Sequence, residues 1–383
     1  MKKYISLIMI LVLCITVTAG CQKSDRSENG TQTKEEVSGE NGASVISDTA
    51  EGETTKEGVN TAKEGNTVNV ENSTAASPES SEAAVKKDIN VAALKGPTAM
   101  GMVKIMDDAK NGLAANKYQF TVAGAPDEIT AGIVSGKIDI AAIPCNLAAV
   151  LYNKSKGAIV TAGINTLGVL YVVETGKEIN SVADLKGKTI YSTGKGTTPE
   201  YTLNYLLSSY GLDPGKDVKV EYKSEATEVA AILSKSANAI ALLPQPYVTT
   251  VMMNNQDVRI ALDVSKEWDK VSNGQSSVVS GVIVVNKKFL ESNKEAVDTF
   301  LSEYEASAQY VNSNPSKAAD LIEKFDIFKA APAKNALPYC NITYIQGEDM
   351  KAKIGGYLKT LFDQNPDAVG GTLPDDGFYY IKQ

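Results

Sequence analysis

No histidine occurs anywhere in the chain. That removes the imidazole base of serine and cysteine nucleophiles and the commonest nitrogen ligand of zinc or manganese. Cys145 stands where an apolar run gives way to a helix-like stretch, a place that can lower a thiol pKa, but the sequence identifies no base partner for it. Asp375 and Asp376 are neighbours in sequence, which suits solvation or a cation better than the two-sided carboxylate work of a glycosidase. We therefore expect no catalytic residue, no metal and no cofactor. What remains is binding chemistry at two turns, Lys95-Gly96-Pro97-Thr98-Ala99 and Lys195-Gly196-Thr197-Thr198. A turn of this kind leaves backbone N–H groups and the positive end of a helix free for an acceptor-rich ligand. Lys95 and Lys195 could attract an anion or simply be solvated; Thr98 and Thr198 could touch a ligand or cap their helices.

The elements that must carry these turns repeat along the chain. From Ile89, short apolar runs alternate with amphipathic stretches: Ile89 to Leu94 then Met100 to Ala109, Gln119 to Ala123 then Glu128 to Val134, Ile138 to Ile143 then Leu147 to Tyr152. Such alternation predicts βαβ units and an α/β fold. One hundred residues later the layout returns. Lys95-Gly96 is matched by Lys195-Gly196, Glu128 by Glu228 and Pro144 by Pro244, so two similarly built lobes are expected. Each shared turn falls between the carboxyl end of a strand and the start of a helix, the edge where open α/β sheets bind ligands. Asn146 and Gln245, followed by Pro246, occupy equivalent helix starts and are the natural polar groups to orient a ligand.

A further strand is expected from Val278 to Val285, then a helix from Glu295 to Val311 whose Val297, Phe300, Leu301, Tyr304, Ala308 and Val311 share one face, and a second helix from Pro315 to Phe325. The chain is expected to leave lobe 1 near Leu167 to Val172 and to re-enter it near Ser280 to Val284. That assigns 87–167 and 280–383 to lobe 1 and 168–279 to lobe 2, joined by two hinge crossings, each lobe a mostly parallel sheet flanked by helices. Near the end, Tyr339 and Asn341 could reach the cleft or pack under a C-terminal helix layer. Cys145 and Cys340 could pair, but they make no disulfide framework.

The first residues have a different design. Lys2 and Lys3 precede an apolar run from Ile5 to Val17, the layout of a secretory signal and too short for a membrane span. Thr18-Ala19-Gly20-Cys21 then resembles the lipobox of bacterial lipoproteins, which implies removal of 1–20 and acylation (palmitate) of Cys21; the alternative is an ordinary secreted protein with a chance cysteine. Residues 21–86 read as a disordered acidic linker, since the stretch from Gln22 to Val85 has no aromatic residue and too little apolar area to offset chain entropy. That stretch holds 13 acidic and five basic residues, so the chain's net charge of -8 belongs to it and the remainder is nearly neutral. A nearly neutral folded part argues against a nucleic-acid partner. A coil of this length has an r.m.s. reach of about 45 Å, which suits a Gram-positive cell surface better than a thin periplasm.

Gly136-Lys137-Ile138-Asp139-Ile140-Ala141-Ala142, Ala183-Asp184-Leu185-Lys186-Gly187-Lys188 and Gly194 to Thr198, with the return segment Val284 to Leu321, together resemble the solute-binding proteins of nitrate, sulfonate and taurine ABC importers, a type 2 periplasmic-binding fold. The resemblance runs from about Ile89 to the C-terminus. It implies a monomeric receptor that closes on a small organic solute and delivers it to a permease and ATPase complex, not an enzyme. Ligand contacts are implied at Lys95, Gly96, Pro97, Thr98, Ala99 and Asn146 in lobe 1 and at Gly196, Thr197, Thr198, Gln245 and Pro246 in lobe 2. Gln245-Pro246 stands where family members often carry Glu-Pro, and without that carboxylate a sulfonate or carboxylate is favoured over an amine. A surface receptor or sensor for a neutral heterocycle such as a pyrimidine or flavin, without transport, is the alternative. Related folds also serve menaquinone-pathway enzymes and thiamine pyrimidine synthases, but the latter consume a histidine of their own chain, which is absent here.

Overall fold

The computed structural model describes residues 86–382. The signal, Cys21 and nearly all of the linker expected from the sequence lie outside the described residues.

The first lobe opens with β1 (Asp88–Leu94), α1 (Pro97–Met100), α2 (Val103–Lys110), β2 (Lys117–Ala123), α3 (Asp127–Ser135), β3 (Ile140–Pro144), α4 (Cys145–Lys154) and β4 (Ile159–Leu167). Gly168 and Val169 then lead into β5 (Leu170–Glu174), followed by β6 (Thr189–Ser192), α5 (Thr198–Ser209), β7 (Lys219–Tyr222), α6 (Ala226–Lys235), β8 (Ile240–Pro244), α7 (Tyr247–Asn254), β9 (Arg259–Asp263) and α8 (Val264–Ser272). The chain returns through β10 (Val279–Asn286) and finishes with α9 (Lys287–Ser292), α10 (Lys294–Ser313), α11 (Pro315–Lys324), α12 (Ala330–Ala336), β11 (Ile342–Ile345) and α13 (Gly347–Gln364).

Two sheets result, in the orders β11-β4-β10-β3-β1-β2 and β7-β6-β8-β5-β9. They are built alike: β1, β2 and β3 of one correspond to β6, β7 and β8 of the other, with the same parallel pairings. In each sheet most strands run one way, four of six in the first and four of five in the second, as the sequence had suggested. β10 lies antiparallel between β3 and β4, and β5 lies antiparallel between β8 and β9. The reason is connectivity: β5 and β10 are the strands by which the chain enters each sheet from the other, so they run against the strands made within the lobe.

Sheet positions read as continuous apolar runs because both faces are covered by helices. Ile159 to Thr166 in β4 are all buried. On one face of the first sheet, α10 places Val297, Phe300, Leu301, Tyr304, Ala308 and Val311 against Val91, Ala93 and Ile283, all buried, each large side chain contributing about 1.5–3 kcal/mol. The helix expected from Met100 to Ala109 is broken at Gly101 instead. A side chain there would meet the Tyr304 hydroxyl at 2.7 Å, and the Gly101 carbonyl accepts a hydrogen bond from Ser307 at 2.7 Å, so close approach of α10 divides α1 from α2.

The second core is shared between the lobes. Tyr357, Leu358 and Leu361 of α13 join Ile143 and Ala148 of the first lobe to Leu203, Leu206 and Trp268 of the second. Among the described residues no helix is long and apolar enough to cross a membrane.

Candidate functional site in the interlobe cleft

Strand direction sets the site. β1, β3 and β4 run the same way, so Leu94, Pro144 and Leu167 end along one edge of the first sheet. Across that edge the register aligns Pro144, Gly281 and Thr166; in the second sheet Pro244 stands beside Leu170. These two edges, joined by the crossing at Gly168 and Val169, form the floor of the cleft, and the helix starts form its walls.

In the β1 to α1 turn, Gly96 has φ 114° and serves as N-cap, with Pro97 in the first turn. Its carbonyl accepts from Ala99 and Met100 at 3.0 Å, and Ala99 is buried. Thr98 does not cap the helix: its hydroxyl donates to the Leu94 carbonyl at 2.8 Å. The Lys95 ammonium is engaged by Asp326 at 2.8 Å.

The matching turn before α5 uses Gly194 and Gly196, both at positive φ. Thr197 is the N-cap residue, and its hydroxyl goes back to the Gly194 carbonyl at 2.6 Å. The Gly196 N–H donates to the carboxylate of Glu200, so a carboxylate of the chain itself takes that backbone donor. Lys195, Gly196 and Thr197 are exposed. Thr198 also caps nothing; its hydroxyl reaches across the cleft to Asn146 Oδ1 at 3.3 Å.

Asn146 and Thr198, both expected site residues, thus touch across the lobes, and the Asn146 amide nitrogen donates to the Ala368 carbonyl at 3.4 Å. Beside it, burial pushes the Cys145 thiol well above its ordinary pKa, the opposite of a helix-start activation, because the sulfur is enclosed by apolar atoms. The Tyr357 hydroxyl lies near Thr198 and Thr202, and burial also pushes its pKa up. Cys340 is free and buried too, with its thiol pushed up to about 12 by burial.

Gln245 is 2% exposed. Its backbone N–H binds the Val169 carbonyl of the crossing at 2.9 Å, its Oε1 accepts from the N–H and hydroxyl of Thr249 at 3.3 and 2.8 Å, and Pro246 beside it is buried. Its amide nitrogen is unpartnered. So are Asn165 Oδ1, Thr166 Oγ1, Thr202 Oγ1, Ser265 Oγ and the Tyr357 hydroxyl. Buried polar atoms are almost always paired; apart from Thr161 Oγ1 inside β4, which is also unpartnered, these come from the end of β4, the helix starts or α13.

Sequence reasoning missed Asn165, Thr166, Thr202, Ser265 and Tyr357. A signal did exist for two of them, since Asn165 and Thr166 are polar residues in an otherwise apolar strand. Tyr339 and Asn341 hold the crossing: the Tyr171 hydroxyl donates to the Tyr339 carbonyl at 2.9 Å and Asn341 Nδ2 to the Gly168 carbonyl at 2.5 Å.

The lobes meet on both sides of this floor. On one side α13 and the residue after it reach Tyr201, with Gln364 donating to its carbonyl at 3.0 Å and Asn365 to its hydroxyl at 2.8 Å. On the other, the rings of Tyr247 and Phe328 meet edge to face at 6.1 Å, above a cavity of about 450 Å³ lined by Thr249, Met252, Met253, Lys334 and Tyr339. A larger depression of about 760 Å³ lies at the opposite end of the first sheet, around Asp139 and Asn286.

Among solved structures, an ABC transporter protein from Parabacteroides distasonis superposes with a TM-score of 0.64 at 26% identity, over 78% of this chain and 100% of that one. The chain has the two-lobed periplasmic-binding-protein fold. Other structures with this fold include the periplasmic aliphatic sulphonate binding protein of Escherichia coli, at TM-score 0.59 and 16% identity over 74% of this chain and 94% of that one. The alkanesulfonate-binding protein of Xanthomonas axonopodis, solved with MOPS bound, gives 0.55 and 13% over 76% and 96%. The NMT1/THI5-like family model matches residues 149–318, which spans the crossing at Gly168 and Val169, β5 to β9 and the return through β10. No curated protein matches in sequence. By name, the first of these relatives is an ABC transporter protein and the other two are sulfonate-binding proteins.

Proposed function

We propose that this chain is the extracytoplasmic solute-binding subunit of an ABC importer, held at the membrane by a lipid on Cys21 and an acidic linker over 21–86, with lobe 1 formed by 87–167 and 280–383 and lobe 2 by 168–279. It acts as a monomer that closes on a small organic solute and presents the closed form to a permease and ATPase complex. The observation that carries this reading is the set of buried, unpartnered polar atoms that both lobes supply near the crossing and the helix starts. Such atoms cost about 1–3 kcal/mol each when left unmade, and a solute seated between the lobes would recover that and favour closure.

Two ligand classes have support. A sulfonate or carboxylate suits the paired helix starts, and two structural relatives bind sulfonates by name. An uncharged heterocycle suits the state of the charged groups, since Lys95 is taken by Asp326 and the Gly196 N–H by Glu200. The test is a thermal-shift panel of sulfonates, carboxylates, pyrimidines and flavins, followed by Thr98→Ala with Gln245→Ala on whichever compound stabilises the protein. Stabilisation with affinity lost in the double variant is expected. Hydrolysis of a compound with no stabilisation by any would overturn the receptor reading.

A further inference from the structure

Both amides on the cleft floor have their orientation fixed by backbone groups of known polarity. Asn165 is fully buried, and its Nδ2 donates to the Thr98 carbonyl at 3.1 Å. A carbonyl only accepts, so the nitrogen must face it and the free atom is Oδ1, an acceptor. For Gln245 the fixed partner is the Thr249 N–H, which only donates. Its oxygen must therefore face that bond, and the free atom is Nε2, a donor. Neither amide can turn round without losing a bond and placing like groups together.

The two stand on the same floor. Gln245 is bonded to Val169, four residues beyond Asn165, and four residues span at most about 14 Å. Asn165 Oδ1 packs closely against Gly281, where a Cβ would stand 2.5 Å from that oxygen and 2.6 Å from Thr98 Cγ2, so only glycine at 281 leaves this oxygen in its place.

We propose that Asn165 and Gln245 are specificity-determining residues that select an uncharged solute presenting both a hydrogen-bond donor, for Asn165 Oδ1, and an acceptor, for Gln245 Nε2. This rests on the receptor reading above and names its ligand class. A carboxylate or sulfonate offers acceptors alone; seated here it would face Asn165 Oδ1 with an oxygen and leave that acceptor unpaired. An amide or lactam edge satisfies both residues.

Isosteric probe pairs test this: nicotinamide against nicotinate and benzamide against benzoate, with ethanesulfonate as a further anion, all read by thermal shift and ligand-observed NMR on the intact protein. The amide member of each pair is expected to bind at least tenfold more tightly than the acid. Gln245→Glu keeps the shape and the acceptor facing Thr249 but replaces the free donor with an acceptor, and it should weaken the amide probes at least tenfold while circular dichroism stays unchanged. Equal responses within each pair, zero included, overturn the proposal, as does an amide probe indifferent to Gln245→Glu. Tight binding of an anion that ignores Gln245→Glu sinks this inference and leaves the receptor reading standing. Failure of every compound in the wider panel sinks both.

Discussion

The Thr198 hydroxyl donates to Asn146 Oδ1 over 3.3 Å, and the bond joins the helix that follows β3 in one sheet to the helix that follows β6 in the other. Both residues sit at the cleft edge, so the contact exists only while the lobes are together.

Removing it should open the protein without unfolding it. A hydrogen bond of this kind is worth about 1 kcal/mol net, so Thr198→Val should shift the closed-to-open ratio about fivefold toward open. Single-molecule energy transfer between dyes on the two lobes would read the shift, and an unchanged distribution would show that closure does not depend on this bond.

Gly281→Ala tests the cleft floor. The φ at Gly281 is ordinary, so the cost would come from the Cβ pressing on Asn165 and Thr98. Overpacking of this kind costs about 1–3 kcal/mol. Urea unfolding should show a loss of that order together with loss of ligand binding; a stable variant that binds normally would mean that the floor yields.

Trp268 is the only tryptophan in the chain, and it lies where α8 meets α13. Its ring centroid is 5.6 Å from that of Tyr357 and 4.2 Å from that of Tyr205, and its N–H donates to Ser276 at 2.8 Å. Its emission should therefore report on α13. Replacing Gln364 and Asn365 together by alanine removes the two bonds to Tyr201, and acrylamide quenching of Trp268 should rise at least twofold.

Asp298 carries a pH dependence. Burial works against its charge, but Lys294 at 2.7 Å and the Tyr380 hydroxyl at 2.6 Å outweigh it, and the carboxyl is held below its ordinary range. Its contribution is therefore present above the unfolded carboxylate pKa of about 4 and lost as pH falls through the lower folded value. Asp298→Asn should cost about 1 kcal/mol at pH 7, and its difference from the parent should shrink below pH 4 when unfolding is followed at several pH values.

What could be read from the sequence was what local pattern controls. The 100-residue offset reappears as matched strands and turns in the two sheets, and the buried face of α10 is the one its spacing predicted. Features that depend on distant partners were not legible. The break at Gly101 is made by Tyr304, the pairing of Lys95 by Asp326, and strand direction by the crossings. Tyr357 enters the site only because α13 packs between lobes, and nothing in its neighbours announces that. Asn165 was visible as a polar residue in an apolar strand, but its meaning depends on the Thr98 carbonyl.

The sheet order has a kinetic consequence. Among the described residues β4 pairs with β10 and β11 and bridges Tyr379 through Thr161, and all of these emerge after the whole second lobe has been made. During synthesis the first 167 residues therefore hold a buried-type strand with no neighbour to bond, while β5 to β9 already form a complete sheet. Long-range pairing of this kind is slow and leaves apolar edges open meanwhile. The second lobe should mature first, and the first lobe should remain the chaperone-dependent, protease-sensitive half until β10 arrives.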